Sequence, residues 1–264
     1  MKNRLRRPLR AAIRSGAIFP ICVLLLWQYG TLSGWWNEFL LPGPFAVLKS
    51  FFSLSASGEL VRNIASSLSR IFKGFFISAF FALSAALACG LYRPLLRQLS
   101  PSLNFLRHIP PMAAIPMLIL WFGIGETSKL AIIILATFFP IFLNTSQGIS
   151  QCDPDLLEVA RAFGYNRLQT LFRVVLPSAL PYILTGMRLG LGYSWRSLIG
   201  AELLAASSGL GYMILNAEQL ARPDVIMTGI LVIGGLGSAM DALFSLAAEK
   251  MSFCGSRGGA DGLV

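Results

Sequence analysis

The side chains in this sequence that could do chemistry are few and scattered. One histidine, His108, stands alone, and three charged residues, Arg188, Arg196 and Glu202, interrupt a long apolar stretch. No paired carboxylates, no Ser/His/Asp order and no metal-ligand spacing accompany them. The sequence therefore predicts no catalytic residue and no metal site, and it directs attention to the isolated charges and to one polar loop.

The isolated charges have more than one interpretation. Arg196 and Glu202 are six residues apart and face different sides of a helix, so they are not an intrahelical pair. Arg196 could attract an anion, or both residues could pair with other helices or reach interfacial water. Glu202 would repel an anion, which favours a structural or gating role. His108 is either part of a proton relay or a solvated loop residue, and no relay partner is evident.

The polar loop between Gln151 and Ser178 carries the most ordered pattern in the chain. Asp153 and Pro154 are suited to the N-cap and the first position of a helix, and a glycine stands at its expected end. A second helix is predicted to end at Pro177. The pattern reads E-x-A-x-x-x-G, nine residues, an aliphatic residue, one more, then Leu-Pro, and its positions are Glu158, Ala160, Gly164, Val174, Leu176 and Pro177.

Both predicted loop helices are amphipathic. The first has a polar face and an apolar face, the apolar one comprising Leu156, Leu157 and Ala160. The second has Leu168, Leu171, Phe172 and Val175 at helical spacing. A polar patch between apolar blocks is typical of a surface that meets a soluble partner. The alternative is an ordinary pair of interfacial helices.

The composition places the rest of the chain in lipid. Hydrophobic residues make up 55% of the sequence and charged residues only 13%, about half the charged fraction of a typical soluble domain. The net charge of +10 does not indicate nucleic-acid binding, because six of the 22 basic residues precede the first apolar block. Basic flanks of this kind fix the orientation of a membrane protein. We therefore expect lipid, and no nucleic acid, around the chain.

The apolar blocks predict an all-α integral membrane protein with about six transmembrane helices. Basic residues are more frequent in the predicted inner loops, which places both termini in the cytoplasm. The predicted organisation is an N-terminal cytoplasmic segment with the first span and outer connection (1–58), a transmembrane domain (59–248) and a flexible cytoplasmic tail (249–264). The predicted spans are 17–36, 74–92, 103–123, 129–149, 181–204 and 225–248.

The second and third predicted spans have features of their own. Arg70 and Lys73 end an amphipathic helix that leads into the second span, and they are expected to extend to the outer interface. The third span is interrupted by prolines, which remove backbone donors. Such a break is either a channel-lining broken helix or a kink that only packs. The candidate translocation path therefore comprises Pro110, Pro111, Pro116, Arg196 and Glu202.

On the loop pattern, the chain resembles the permease subunits of binding-protein-dependent ABC importers. The second motif position is Val159, where the family commonly has alanine. The resemblance covers residues 35–245 and is closest to the nitrate, sulfonate and taurine branch, within it to aliphatic sulfonate permeases. The segments that carry it are Leu41-Pro42, residues 54–60, Ile109-Pro110, residues 115–126, Phe139-Pro140 and Ala201-Glu202.

The resemblance implies a type I ABC importer permease fold with a cytoplasmic coupling-helix loop. It implies a homodimer that docks this loop on a cytoplasmic ABC ATPase dimer and receives a small organic anion, most closely an alkanesulfonate, from a periplasmic substrate-binding protein. Taurine, nitrate or another small solute is the alternative cargo. The chain has no Gly-Lys dipeptide and hence no ATPase phosphate-binding loop, so it is expected to bind no cofactor, with ATP and Mg²⁺ held by the partner.

The sequence also bears on two other classes of protein, secondary transporters and membrane enzymes. A secondary transporter would show repeated halves with matching broken helices, and the sequence has none. A membrane enzyme would need a polar catalytic cluster near one interface, where His108 stands alone. Neighbouring genes for an ATPase and a periplasmic binding protein would support the importer.

Overall fold

The computed structural model describes residues 18–257, and every regular element in that range is helical. They include a 3₁₀ turn (Pro111–Ala114) and a π-helical turn (Leu171–Val175). The α-helices are α1 (Ile18–Leu32), α2 (Pro44–Ala56), α3 (Glu59–Leu91), α4 (Arg93–Leu106), α5 (Ile115–Phe122), α6 (Glu126–Ser150), α7 (Pro154–Ala162), α8 (Arg167–Thr170), α9 (Leu176–Ala205), α10 (Leu210–Gln219) and α11 (Pro223–Arg257).

Within residues 18–257, four helices are long and apolar enough to cross a membrane. They correspond to α3, α6, the α8–α9 segment and α11. A fifth span results if α4 and the α5 segment, which meet at 81°, are counted as one. The first predicted span corresponds to α1, whose described part has 15 residues. The all-helical membrane architecture is confirmed, and the predicted count of six is approximate.

The third predicted span is bent where its prolines lie. Helix α4 ends at Leu106, and the chain resumes with the 3₁₀ turn that begins at Pro111. Pro116 is the second residue of α5, where a helix needs no backbone donor. The two halves are therefore separate short helices, and a straight span over 103–123 is not formed.

One compact unit of the structure contains residues 63–212 and 233–257. Within it, α6 and α9 pack closely because glycines line the contact. A Cβ at Gly186 would lie 3.0 Å from the Pro140 carbonyl oxygen, and one at Gly190 would lie 3.0 Å from Thr137 Cγ2. These two glycines thus allow the close approach of the helices, whereas Gly192 faces open space.

The other compact unit contains residues 18–62 and 213–232. In this unit the Thr228 hydroxyl on α11 donates a 3.1 Å hydrogen bond to the Val47 carbonyl on α2. Helix α2 was predicted only as part of a connection, because its Pro-Gly-Pro start indicates a turn. Pro44 instead occupies the first turn of the helix, where its fixed φ is favourable.

Two predicted boundaries differ from those of the helices. The amphipathic helix and the second span form one continuous helix, α3, in which Gly74 faces Ile133 and does not break the helix. Helix α11 continues through Arg257, past the predicted boundary at 248. The predicted N-terminal segment 1–17 and the last part of the predicted tail, 258–264, lie outside the described residues.

Candidate functional site

The loop between α6 and α9 begins with the predicted helix α7. The Asp153 carboxylate accepts a 2.9 Å hydrogen bond from the backbone N–H of Asp155, and Pro154 is the first helical residue. A capping side chain of this kind contributes about 1 kcal/mol to helix stability. Both predicted signals at the start of this helix are confirmed.

Gly164 ends α7 in the predicted way. Its φ is +71°, in the left-handed region that disfavours any residue with a Cβ. The Gly164 N–H donates to the Arg161 carbonyl at 2.9 Å, and the Tyr165 N–H donates to the Ala160 carbonyl at 3.0 Å. This pair of bonds is a Schellman motif, which satisfies carbonyls that the helix end would leave free.

The second loop helix begins as expected but does not end at Pro177. Asn166 and Gln169 form a reciprocal capping box at the start of α8, with bonds of 2.8 and 2.9 Å. The chain then passes through the π-helical turn directly into α9, whose second residue is Pro177. Proline has no backbone N–H to donate, and Pro177 lies where the hydrogen-bond register changes from the π-helical turn to the α-helix. Pro177 is therefore accommodated within the helical segment.

A small apolar cluster fixes the loop to the ends of the long helices. Cys152, Leu171 and Val175 are its buried members, and Leu157 and Val174 pack against it. Ala160, on the same side of α7 as Leu157, is 1% exposed. The predicted apolar face therefore forms with one correction: Leu156 is exposed and is not among the residues that pack against this cluster.

The other side of the loop exposes large apolar side chains beside charges. Phe163, next to Gly164, is 74% exposed. Exposed apolar groups that cluster on one loop mark a contact surface rather than a solvated face. We call this set the loop surface; it comprises Leu156, Glu158, Val159, Phe163, Leu168 and Phe172, all exposed. Sequence reasoning anticipated the polar part of this surface but not its apolar part.

The remaining motif residues connect the loop surface to the helices. Ala160 is buried, Val174 and Leu176 are half-buried, and Pro177 is exposed. A cavity of about 730 Å³ adjoins the loop, with Arg97 of α4 and Arg167 of α8 in its lining. The loop is thus held by the apolar cluster while open space remains beside it.

Glu202 lies in a buried polar network, not in an open path. Its side chain is completely buried, and its carboxylate accepts hydrogen bonds from the Ser67 hydroxyl at 2.9 Å, from Arg70 at 2.7 Å and from the Gly211 N–H at 3.0 Å. Full pairing is what allows a carboxylate to remain buried. Of the two predicted interpretations, the structure supports pairing with another helix.

Arg70 is the centre of this network. Its guanidinium donates two 2.7 Å bonds to Glu126 at the start of α6, in addition to its bond to Glu202. It also donates to the Ser208 carbonyl and hydroxyl, at 2.7 and 2.8 Å. The Arg70 side chain is 6% exposed whereas that of Glu126 is 60% exposed, so Arg70 joins the buried Glu202 to a carboxylate at the protein surface. The expected extension of Arg70 to the outer interface stays a prediction.

Gly209 allows the chain to approach Glu202 closely. It has a φ of +117°, and a Cβ at this position would lie 2.3 Å from a Glu202 carboxylate oxygen. Its N–H donates a 2.9 Å bond to the Asn63 side chain. Asn63, Ser67 and Arg70 are spaced so that they lie on one face of α3. This spacing is the sequence signal for the buried network, and sequence reasoning missed it.

The other predicted path residues do not gather around Glu202. Pro110 and Pro116 are exposed and Pro111 is half-buried, all at the bend between α4 and α5. Arg196 is exposed on α9, with its guanidinium 5.9 Å from the centre of the Tyr193 ring. The structure thus separates the predicted path residues into the bend, the buried network and an exposed face of α9.

Known proteins similar to this chain include several transport permeases. A protein of Escherichia coli strain K12 named as an aliphatic sulfonates transport permease is 40% identical over 222 residues, 84% of each chain. Its namesake in Bacillus subtilis strain 168 is 37% identical over 236 residues, covering 89% of this chain and 86% of that one. The taurine transport system permease protein of E. coli K12 is 36% identical over 215 residues, covering 76% and 78%.

Solved structures share the fold at low sequence identity. A crystal structure of an amino acid ABC transporter superposes with a TM-score of 0.61 at 17% identity, covering 76% of this chain and 97% of that one. A bacterial alginate ABC transporter, solved with a pentasaccharide-bound periplasmic protein, superposes with a TM-score of 0.60 at 17% identity and covers 95% and 97%. These likenesses show the fold.

The family model for binding-protein-dependent transport system inner membrane components matches residues 74–252, more than half of the chain. That range includes the whole loop from Gln151 to Ser178 and the long helices on either side of it. The chain therefore belongs to the family of binding-protein-dependent transport system inner membrane components.

Proposed function

We propose that this chain is the membrane-spanning subunit of an ATP-driven importer that carries an alkanesulfonate across the bacterial inner membrane. The observation that supports it most directly is the combination of family membership with 40% identity to a sulfonates permease over 84% of both chains. The loop surface supplies the structural element that such a subunit needs, namely an exposed contact area on a helix pair fixed to the long helices.

In this proposal the loop surface binds a cytoplasmic ABC ATPase dimer. Exposed aromatic and aliphatic side chains such as Phe163 and Phe172 are suited to a protein groove, and Glu158 adds a charged contact at the edge. ATP and Mg²⁺ belong to the ATPase, and this chain binds no cofactor of its own. Rigid-body movement of the ATPase would then reach α9 through the apolar cluster.

Two further partners complete the proposed machine. A periplasmic substrate-binding protein delivers the cargo, and a second copy of this chain forms a homodimer in the lipid. The most apolar stretch of α11 supports the proposal of a second copy, because none of the residues in this stretch is buried within the chain. Such a stretch faces lipid or another helix.

The substrate is tested by growth. Deleting the gene is expected to abolish growth on ethanesulfonate as the sole sulfur source while growth on sulfate continues, because sulfate has its own route of entry. Complementation with the intact gene is the control. Normal growth on ethanesulfonate, with loss of taurine or nitrate use, would transfer the proposal to that substrate, which the 36% identity to a taurine permease makes a specific alternative.

The proposed orientation places both termini and the loop in the cytoplasm. Reporter fusions at Ser57 and Glu218 are expected to read periplasmic, and a fusion at Arg167 cytoplasmic, because inner loops carry the excess of basic residues. Paired alkaline phosphatase and fluorescent-protein fusions measure this. A periplasmic signal at Arg167 would contradict the proposal, since the loop surface could not meet an ATPase.

A further inference from the structure

One face of α9 carries two arginines in the middle of a membrane-spanning helix. Arg188, Gly192 and Arg196 follow each other at intervals of four residues, and all three are exposed. The interval of eight residues places the two arginines about 12 Å apart along the helix. The glycine between them contributes no side chain, and a Cβ built there would meet no atom within 4 Å.

The two arginines have different partners. Arg188 donates two bonds, of 2.7 and 2.6 Å, to the carboxylate of Asp241 near the middle of α11. This pair is not enclosed, because the side chains of Arg188 and Asp241 are 47% and 52% exposed. Arg196 lies against the Tyr193 ring and forms no salt bridge with a carboxylate among residues 18–257.

Exposed charges at this depth cannot be explained by contact with lipid. Ionisable groups within membrane spans face a water-filled cavity or the interior of a bundle, since burial in hydrocarbon is costly. The buried network does not compete for the two arginines, because Glu202 is held by Arg70 and Ser67. The exposed face therefore presents two cations and one carboxylate, with a net positive charge.

We propose that Arg196 and Arg188 bind the anionic cargo in succession during translocation, and that the cargo displaces Asp241 from Arg188 at the second step. We call these residues the arginine track. The inference rests on the proposed function, since it needs an anionic substrate. It assigns the translocation step to side chains that belong neither to the loop surface nor to the buried network.

The chemistry of the groups suits this exchange. A sulfonate presents three oxygens that accept hydrogen bonds from the planar guanidinium fork, as a carboxylate does. Because Asp241 already binds Arg188 in the same bidentate way, the cargo replaces one anion by another and Arg188 stays paired. The returning carboxylate then releases the cargo, which keeps the Arg188 site weak enough for onward movement.

The test measures uptake of labelled ethanesulfonate by the complex of this chain with its ATPase and binding protein. For both Arg188→Gln and Arg196→Gln, the ratio kcat/KM for uptake is expected to fall at least about tenfold, the scale of one lost charged hydrogen bond. Membrane abundance and the native mass of the complex are expected to remain unchanged. Arg222→Gln is the matched control, because Arg222 is also an exposed arginine paired with a carboxylate, Asp224, on α11.

The charge-swapped double variant Arg188→Asp/Asp241→Arg separates transport from structure. It preserves an ion pair between α9 and α11 but moves the cation off the track, so uptake is expected to stay low. Restoration of wild-type uptake by the swap would show that the pair is structural and would overturn the proposal. Wild-type uptake by Arg188→Gln, or a loss of native mass that points to a subunit contact, would overturn it as well.

The same assay distinguishes failure of this inference from failure of the proposed function. If the unaltered complex takes up ethanesulfonate and the swap restores transport, only the arginine track is wrong. If the unaltered complex takes up neither ethanesulfonate nor taurine nor nitrate, the anionic cargo itself is contradicted, and the track falls with it.

Discussion

Replacing Arg70 by methionine is expected to remove most of the protein from the membrane. The change leaves the fully buried carboxylate of Glu202 without its cation, and it leaves the Ser208 carbonyl without its donor. Breaking a buried ion pair by removing one partner costs about 3–5 kcal/mol. A loss on that scale is large compared with the total stability of a protein, about 5–15 kcal/mol. Quantitative immunoblotting of isolated membranes measures the effect.

A matched control and a second substitution sharpen this test. Lys73→Met removes a cation that is exposed on the same helix, and it is expected to leave abundance unchanged. Glu202→Gln in the Arg70→Met background removes the uncompensated charge and is expected to recover part of the protein. Wild-type abundance of Arg70→Met, or no recovery in the double variant, would show that the network does not stabilise the fold as described.

Gly164→Leu is expected to leave the protein inserted and folded while abolishing coupling to the ATPase. The left-handed backbone of Gly164 costs a residue with a Cβ about 1–2 kcal/mol. A Cβ at this position would meet no atom of a non-neighbouring residue within 4 Å, so the added side chain would project from the surface next to Phe163. If the ATPase groove binds here, the added bulk blocks it. Binding-protein-stimulated ATP hydrolysis by the purified complex is the measurement.

The chain offers controls with the same strain at another place. Gly58→Leu also introduces a Cβ at a positive φ, +74°, with no atom within 4 Å, but at the corner between α2 and α3. The complex that contains this variant is expected to hydrolyse ATP and transport substrate at the rates of the unaltered complex. Glu158→Lys reverses the charge of the loop surface without backbone strain, and Glu218→Lys is its exposed counterpart outside the loop. If each loop variant showed the same ATP hydrolysis and transport as its control outside the loop, the loop would not be the coupling contact.

The loop helices could be predicted from the sequence because their signals are local. The Asp153 cap, Pro154 and Gly164 act within a few residues of the bonds they determine. Pro177 misled the prediction because a π-helical turn precedes it and changes the hydrogen-bond register, which apolar spacing does not reveal. The exposure of Leu156 depends on tertiary packing, because Leu87 of α3 and Ile149 of α6 belong to the apolar cluster that Leu157 joins, so it too lies outside local reasoning.

The buried network could not be assembled from the sequence for a different reason. Arg70 and Glu202 are 132 residues apart in the chain, and Arg70 and Glu126 are 56 apart. The charge on Arg70 indicates an interface when the helix is considered alone. Only packing against α6 and α9 makes its burial favourable, because it brings the buried Glu202 and the exposed Glu126 to its guanidinium. The same holds for Arg188, whose partner lies on α11.

The most direct test of the account is uptake of labelled ethanesulfonate by proteoliposomes that contain this chain with its ATPase, with the loaded binding protein on the outside. The account predicts uptake that requires enclosed ATP and Mg²⁺, that stops when the ATPase or the binding protein is omitted, and that persists when proton and sodium gradients are collapsed. Uptake by this chain alone, driven by an ion gradient and indifferent to ATP, would identify a secondary transporter and contradict the account.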